Sequence, residues 1–94
     1  MLKRRFDGTG KVKVTFALPD SGEPVSVVGD FNGWDPTVSP LRRRSNGTRS
    51  VTVVLESGKP YSFRYLANGR FFDDSEADAW PPNGFGDTHS VIVP

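Results

Sequence analysis

Hydrophobic and polar residues alternate along most of this chain with a period of two. Val12, Val14, Phe16 and Leu18 alternate with Lys11, Lys13, Thr15 and Ala17, which predicts a half-buried strand over residues 11–18. Pro19-Asp20-Ser21-Gly22 ends it, and Glu23-Pro24 leads into a second strand, Val25 to Val28. A third spans Thr48 to Glu56, with Val51, Val53 and Leu55 on one face. In a fourth, Tyr61 to Ala67, the row Tyr61, Phe63, Tyr65 and Ala67 faces the core and Arg64 the opposite side. Asn68-Gly69 makes a hairpin that returns through Arg70 to Asp74, and the last strand is Thr88 to Val93. Turn signals recur between short strands and no stretch has helical periodicity. The fold expected is all-β, an antiparallel β-sandwich. Residues 1–10 are expected to be a flexible N-terminal segment and residues 11–94 a single domain.

Composition narrows the function classes. The chain has 94 residues, no cysteine and a formal net charge of +1. There is accordingly no disulfide framework, thiolate metal site or cysteine nucleophile, and an overall electrostatic attraction to polyanions is not expected. The basic start Met1 to Arg5 runs into Phe6-Asp7-Gly8-Thr9-Gly10 without the apolar stretch of a secretory signal. No apolar run approaches membrane-spanning length. The expected setting is the cytoplasm, with neither a membrane nor a nucleic acid as partner.

Few residues suggest chemistry. Asp73, Asp74, Glu76 and Asp78 form an acidic cluster, but without the glycine of an EF-hand loop they read as a solvated loop capping backbone amides. Gly8-Thr9-Gly10-Lys11 has only half of a phosphate loop. Asn46-Gly47-Thr48 is a glycosylation sequon that matters only in a secreted protein. His89 is the sole histidine, so a histidine metal cluster is impossible. Arg42-Arg43-Arg44 on a turn-bounded segment reads as solvated charge. No catalytic constellation emerges, no cofactor is expected, and the chain is read as non-catalytic. The stretch Val27 to Pro36 stands out instead, because it displays Trp34 between two turn signals. Trp34 there fits a rigid binding platform and a core anchor alike. Trp80, flanked by Ala79 and Pro81, either plugs one end of the sandwich or adds a second platform.

Three segments carry a resemblance. Gly29-Asp30-Phe31-Asn32-Gly33-Trp34 resembles the G-x-F-N-x-W motif of the family-48 carbohydrate-binding modules, the isoamylase N-terminal-like early-set domains. Tyr61 to Phe71 is similar to that family's Y-x-[YF]-[KR]-[YF]-x-x-[DN]-G-x-[WF], and Asn83 to Val91 to its closing motif. The resemblance spans nearly the whole chain and is similar to the glycogen-binding domain of the AMP-activated protein kinase β subunit. It implies an immunoglobulin-like early-set sandwich that binds α-1,4-glucans such as glycogen, starch or maltooligosaccharides, alone or beside a glycogen-metabolising enzyme. The positions it implies for sugar contact are Trp34, Arg64, Phe71 (with Phe72 as the one-residue alternative), Phe85 and His89. Arg64 replaces a lysine there, Phe71 a tryptophan, Phe85 a leucine and His89 an asparagine. The other reading is an early-set protein-interaction domain without useful sugar affinity.

Overall fold

The computed structural model describes residues 2–84 and 86–94, in which eight strands build two antiparallel sheets and no helix forms. The first sheet has the order β1-β2-β5-β4, from Leu2–Phe6, Lys11–Pro19, Thr48–Glu56 and Arg42–Arg43. The second has the order β3-β6-β7, from Ser26–Gly29, Tyr61–Ala67 and Arg70–Phe72, while β8, Ser90–Ile92, pairs with β6. The all-β sandwich expected from the alternation is the fold observed.

Each inner face supplies the rows that the alternation marks. Val12, Val14 and Phe16 of β2, Val27 of β3, Phe63 and Tyr65 of β6 and Ile92 of β8 are all fully buried. The Phe16 and Phe63 rings meet edge to face across the two sheets at 5.1 Å, a geometry that aromatic quadrupoles favour. Strands β5 and β6 have the limits expected of them. At Asn68-Gly69 both residues have positive φ, 50° and 72°, the backbone of the tight turn that fits the twist between β6 and β7.

Two expectations need correction. Residues 1–10 are not all a flexible lead-in: Leu2–Phe6 forms β1, antiparallel to β2 with Lys3 opposite Thr15 and Arg5 opposite Lys13. Leu2 packs on the core, and the Arg4 guanidinium pairs with Asp78 at 2.9 Å, which holds the strand from its other side. Nor is the arginine run simply solvated. Arg42–Arg43 is the short edge strand β4, and Arg43 and Arg49 share the Asp20 carboxylate at 2.9 and 2.8 Å.

Candidate functional site

The site grows out of the turn that follows β3. A Cβ on Gly29 would lie 2.6 Å from the Ser62 carbonyl oxygen and 2.8 Å from the Phe31 ring, so close packing leaves room only for glycine. Phe31 turns inward, stacking on Phe16 at 5.5 Å and meeting Tyr61 edge-on at 6.3 Å. Asn32 stitches the turn: its carbonyl accepts from the Gly29 amide, and its amide donates to Val27 O and Ser39 Oγ. With Phe31 as the core anchor, Trp34 is released to the surface.

Trp34 leaves the turn with φ 59° and its side chain 40% exposed. A bulky residue in the left-handed region is strained by about 1–3 kcal/mol and is held there only by its surroundings. Here the hold is Asp30. One carboxylate oxygen accepts from the Trp34 indole N–H at 3.2 Å, and the other accepts from the Ser62 amide at 2.8 Å. The ring is therefore tied to β6 as well as to its own turn.

Along the outer face of β6, Ser62 is followed by Arg64 and Leu66, and Leu66 pairs with Phe71 of β7. Ser62 and Leu66 lie roughly 13 Å apart at the rise of a strand, so Trp34 and Phe71 mark two ends of one face with Arg64 between them. Phe71 is 53% exposed, whereas Phe72 packs on the core against Tyr65 at 5.3 Å. Of the two rings, Phe71 is the outward one. The Arg64 guanidinium lies 5.6 Å from the Phe71 ring centroid, within cation–π range.

Arg64 is not a free donor. Its Nε donates to Asp73 at 3.1 Å, its Nη2 pairs with Asp87 at 3.3 Å, and its side chain is only 13% exposed. It braces Phe71 and binds the end loop to the sheet. Asp73 is the hub, since the hydroxyls of Thr88 and Ser90 also donate to its carboxylate. His89 lies between those two residues. The ladder Ser62–Val91, Phe63–Ser90 brings it, one step further, alongside Arg64. Its amide donates to Pro81 O, and its side chain is half-buried. The structure thus joins Arg64 to Phe71, places His89 just past the end of the β6–β8 ladder, and sets Trp34 at the other end of β6. Phe85 lies outside the described residues.

The acidic cluster caps backbone amides as expected, Asp74 that of Glu76 and Asp78 that of Val93, and Glu76 and Asp78 are exposed, but Asp74 is not part of a solvated loop. Asp74 is buried, accepts from the Tyr65 hydroxyl at 2.6 Å and from the Glu76 amide, and receives Ser90 Oγ as acceptor for its own amide. Burial, reinforced by the Asp74 carboxylate, pushes the Tyr65 hydroxyl pKa far upward, which keeps it a proton donor. Among the described residues no group of three or more His, Cys, Asp or Glu side chains could hold a metal ion. Trp80 donates its indole N–H to Asp74 O at 2.8 Å and leaves its ring 46% exposed. It orders the loop without plugging the core. Sequence reading missed Asp30 and Asp87 and the role of Asp73 as partner of Arg64. Only Asp30, four residues before Trp34 inside the same turn, was within its reach.

No protein-family model matches the chain. Curated relatives do: a 1,4-alpha-glucan branching enzyme GlgB 2 of Xanthomonas campestris pv. campestris is 44% identical over 48 residues, 49% of this chain and 7% of the enzyme. The 1,4-alpha-glucan branching enzyme GlgB of Burkholderia lata is 39% identical over 69 residues, 70% of this chain and 9% of the enzyme. That of Aquifex aeolicus is 34% identical over 64 residues, 65% of this chain and 9% of the enzyme. The chain thus matches less than a tenth of the length of these relatives. In fold it is similar to ferric enterobactin esterase (fes) of Salmonella typhimurium, with a TM-score of 0.75 over 99% of this chain and 34% of that one, at 12% identity.

Proposed function

We propose that this chain is a non-catalytic α-glucan-binding module of the family-48 carbohydrate-binding type, which brings itself or a partner enzyme to glycogen or a related polymer. The observation that carries this reading is Trp34: a strained, half-exposed ring on the same outer face as the exposed Phe71. Likeness to segments of glucan branching enzymes supports the choice of ligand. Glucan rings have an apolar C–H face and a rim of hydroxyls, so rings that stand proud of a sheet suit the first and buried-edge polar groups the second.

If Trp34 and Phe71 each remove about 80 Å² from water, each contributes about 2 kcal/mol. Arg64, held by two carboxylates, adds less than an unpaired donor, and His89 contributes about 1 kcal/mol. After the cost of association the expected Kd for a short oligosaccharide is on the order of 0.1–1 mM. A titration with β-cyclodextrin or maltoheptaose, followed by amide and indole NMR, tests this. Saturable shifts of the Trp34 indole together with the Arg64, Phe71 and His89 amides are expected. Silence at several millimolar ligand, in the range of ~5 mM, would instead favour an early-set domain that contacts protein alone.

A further inference from the structure

The outer face of the β1-β2-β5-β4 sheet is basic in a way that the net charge conceals. The pairing register brings Lys3 and Arg5 of β1 to this face with Lys13 of β2, and Arg42 reaches it opposite Ser50. Arg44 joins them by donating from Nε to Ser50 Oγ at 2.9 Å. Among the described residues, every arginine off this face is ion-paired: Arg4 with Asp78, Arg43 and Arg49 with Asp20, Arg64 with Asp73 and Asp87, and Arg70 with Glu23. Arg5, Arg42 and Arg44 on it have no such partner, nor do Lys3 and Lys13. Two acids lie nearby. Glu56 pairs with Lys11 at 3.7 Å, and Asp7 feels the Lys13 charge while its carboxylate accepts from the Thr9 amide and hydroxyl.

The cations flank a groove. A depression of about 240 Å³ between Lys3 and Arg44 adjoins one of about 450 Å³ bordered by Arg5 and Lys13, and the two share Lys3 and Thr15. The floor is low because it is made of Thr15, Ala17, Ser50 and Thr52, with the two threonine hydroxyls in contact at 2.9 Å. Among the described residues no aromatic side chain lines it, so they offer nothing on which a nucleobase would stack.

We propose that this groove docks an extended acidic segment of a partner protein. Outward residues on one strand repeat about every 6.6 Å. Lys3 with Arg5 on β1 therefore forms a cationic row with the spacing of alternate carboxylates on an extended peptide, and Arg42 and Arg44, both gathered at Ser50, form a second row at the opposite edge. The rows stand about three strand spacings apart, roughly 14 Å, so carboxylates on opposite edges of one peptide reach both. Floor hydroxyls meet its backbone. This site is independent of the glucan face and sits on the other sheet.

The test uses an alternating Glu–Ser peptide of about ten residues, titrated into labelled protein at low salt. Amides of Lys3, Thr15, Ser50 and Thr52 should shift while the Trp34 and Trp80 indoles stay still, and affinity should fall at least about tenfold between about 50 and 300 mM salt. The variant Lys3→Glu/Arg5→Glu/Lys13→Glu should weaken the peptide at least about tenfold and leave maltoheptaose binding unchanged. If that variant does not fold, the milder Lys13→Gln/Arg42→Gln should show a smaller loss in the same direction. Shifts confined to other surfaces, or affinity indifferent to these substitutions, would overturn the proposal. So would tighter binding, through the same residues, of a DNA duplex of equal charge or of phosphatidylserine vesicles.

Discussion

The sandwich turns two outer faces to solvent, and they differ in what happens to charge. On the β3-β6-β7 face the charged groups satisfy one another: Asp73 and Asp87 hold Arg64, Glu23 holds Arg70, and Asp30 holds the Trp34 indole. What remains outward is aromatic, the Trp34 and Phe71 rings. On the β1-β2-β5 face the rows are reversed. Polar floor residues lie flat, the rings are inside, and Lys3, Arg5 and Lys13 point out without an ion pair among the described residues. A chain of net charge +1 thus carries one face that is aromatic and one that is cationic. Which residues pair, more than how many there are, decides the character of a surface.

The largest effect expected is on the turn that presents the aromatic face. Gly29→Ala places a Cβ against the Ser62 carbonyl and Phe63 Cβ, at 2.6 and 2.9 Å, and both are fixed parts of β6. Overpacking of this kind costs about 3 kcal/mol. Urea unfolding should show the loss, and the Trp34 indole resonance should move with it. The basic face, a sheet away, should keep its amide shifts; a general collapse of both spectra would mean that the two faces are not independent.

Trp34→Gly separates binding from folding. Removing the ring deletes about 2 kcal/mol of apolar contact with a glucan, or roughly a thirtyfold loss of affinity. Stability should change by less than about 1 kcal/mol, because glycine relieves the left-handed strain while the ring's few contacts are lost. A drop of several kcal/mol would show that the ring belongs to the core after all. Arg64→Ala should act more mildly on glucan, since the arginine works through Phe71, and should cost about 1–2 kcal/mol of stability by leaving Asp73 without its cation. Arg64→Lys keeps the charge but not the fork that reaches both carboxylates. If the two variants bind glucan equally weakly, the charge alone has no part in the site; if Arg64→Lys binds as well as the unsubstituted protein, bracing by that fork has none.

Much of this was legible in the sequence, and the reasons it stopped are physical. Strands β5 and β6 could be read to their ends because β-branched and aromatic residues repeat every second position. The G-x-F-N-x-W turn is legible as a turn because Asn32 and Gly33 act locally, Asn32 by bonding Gly29, Val27 and Ser39, whereas Gly29 and Phe31 answer to β6 and β2. Strand β1 was hidden because Lys3-Arg4-Arg5 masks the alternation of Leu2, Arg4 and Phe6, and its inward Arg4 is neutralised by Asp78, far along the chain. Strand β4 is two arginines and has no hydrophobic signal at all. For the same reason the state of Arg64 could not be foreseen: its residue type suggests a donor, and only the folded loop brings Asp87 to it.

The smallest effect expected lies at the end of the basic sheet, where arginines do have an acid. The Gly22 amide, then Arg49 and Arg43, hold the Asp20 carboxyl down to about 2 from its ordinary 3.8. A carboxylate whose pKa is depressed on folding stabilises the protein fully above its unfolded value, and that contribution disappears as pH falls through the folded one. Asp20→Asn abolishes the contribution at every pH. The urea midpoint of the unsubstituted protein should therefore exceed that of Asp20→Asn at about pH 5, and the gap should close between about pH 4 and pH 2. A gap that stays constant over that range would mean that Asp20 stabilises through shape alone. The same variant sharpens the contrast between the faces, because it leaves Arg43 and Arg49 as unpaired as Arg42 and Arg44 while adding no cation to the outer groove. Peptide affinity for the groove should then be nearly unchanged, and a clear gain would show that net charge, rather than the placement of Lys3, Arg5 and Lys13, governs binding there.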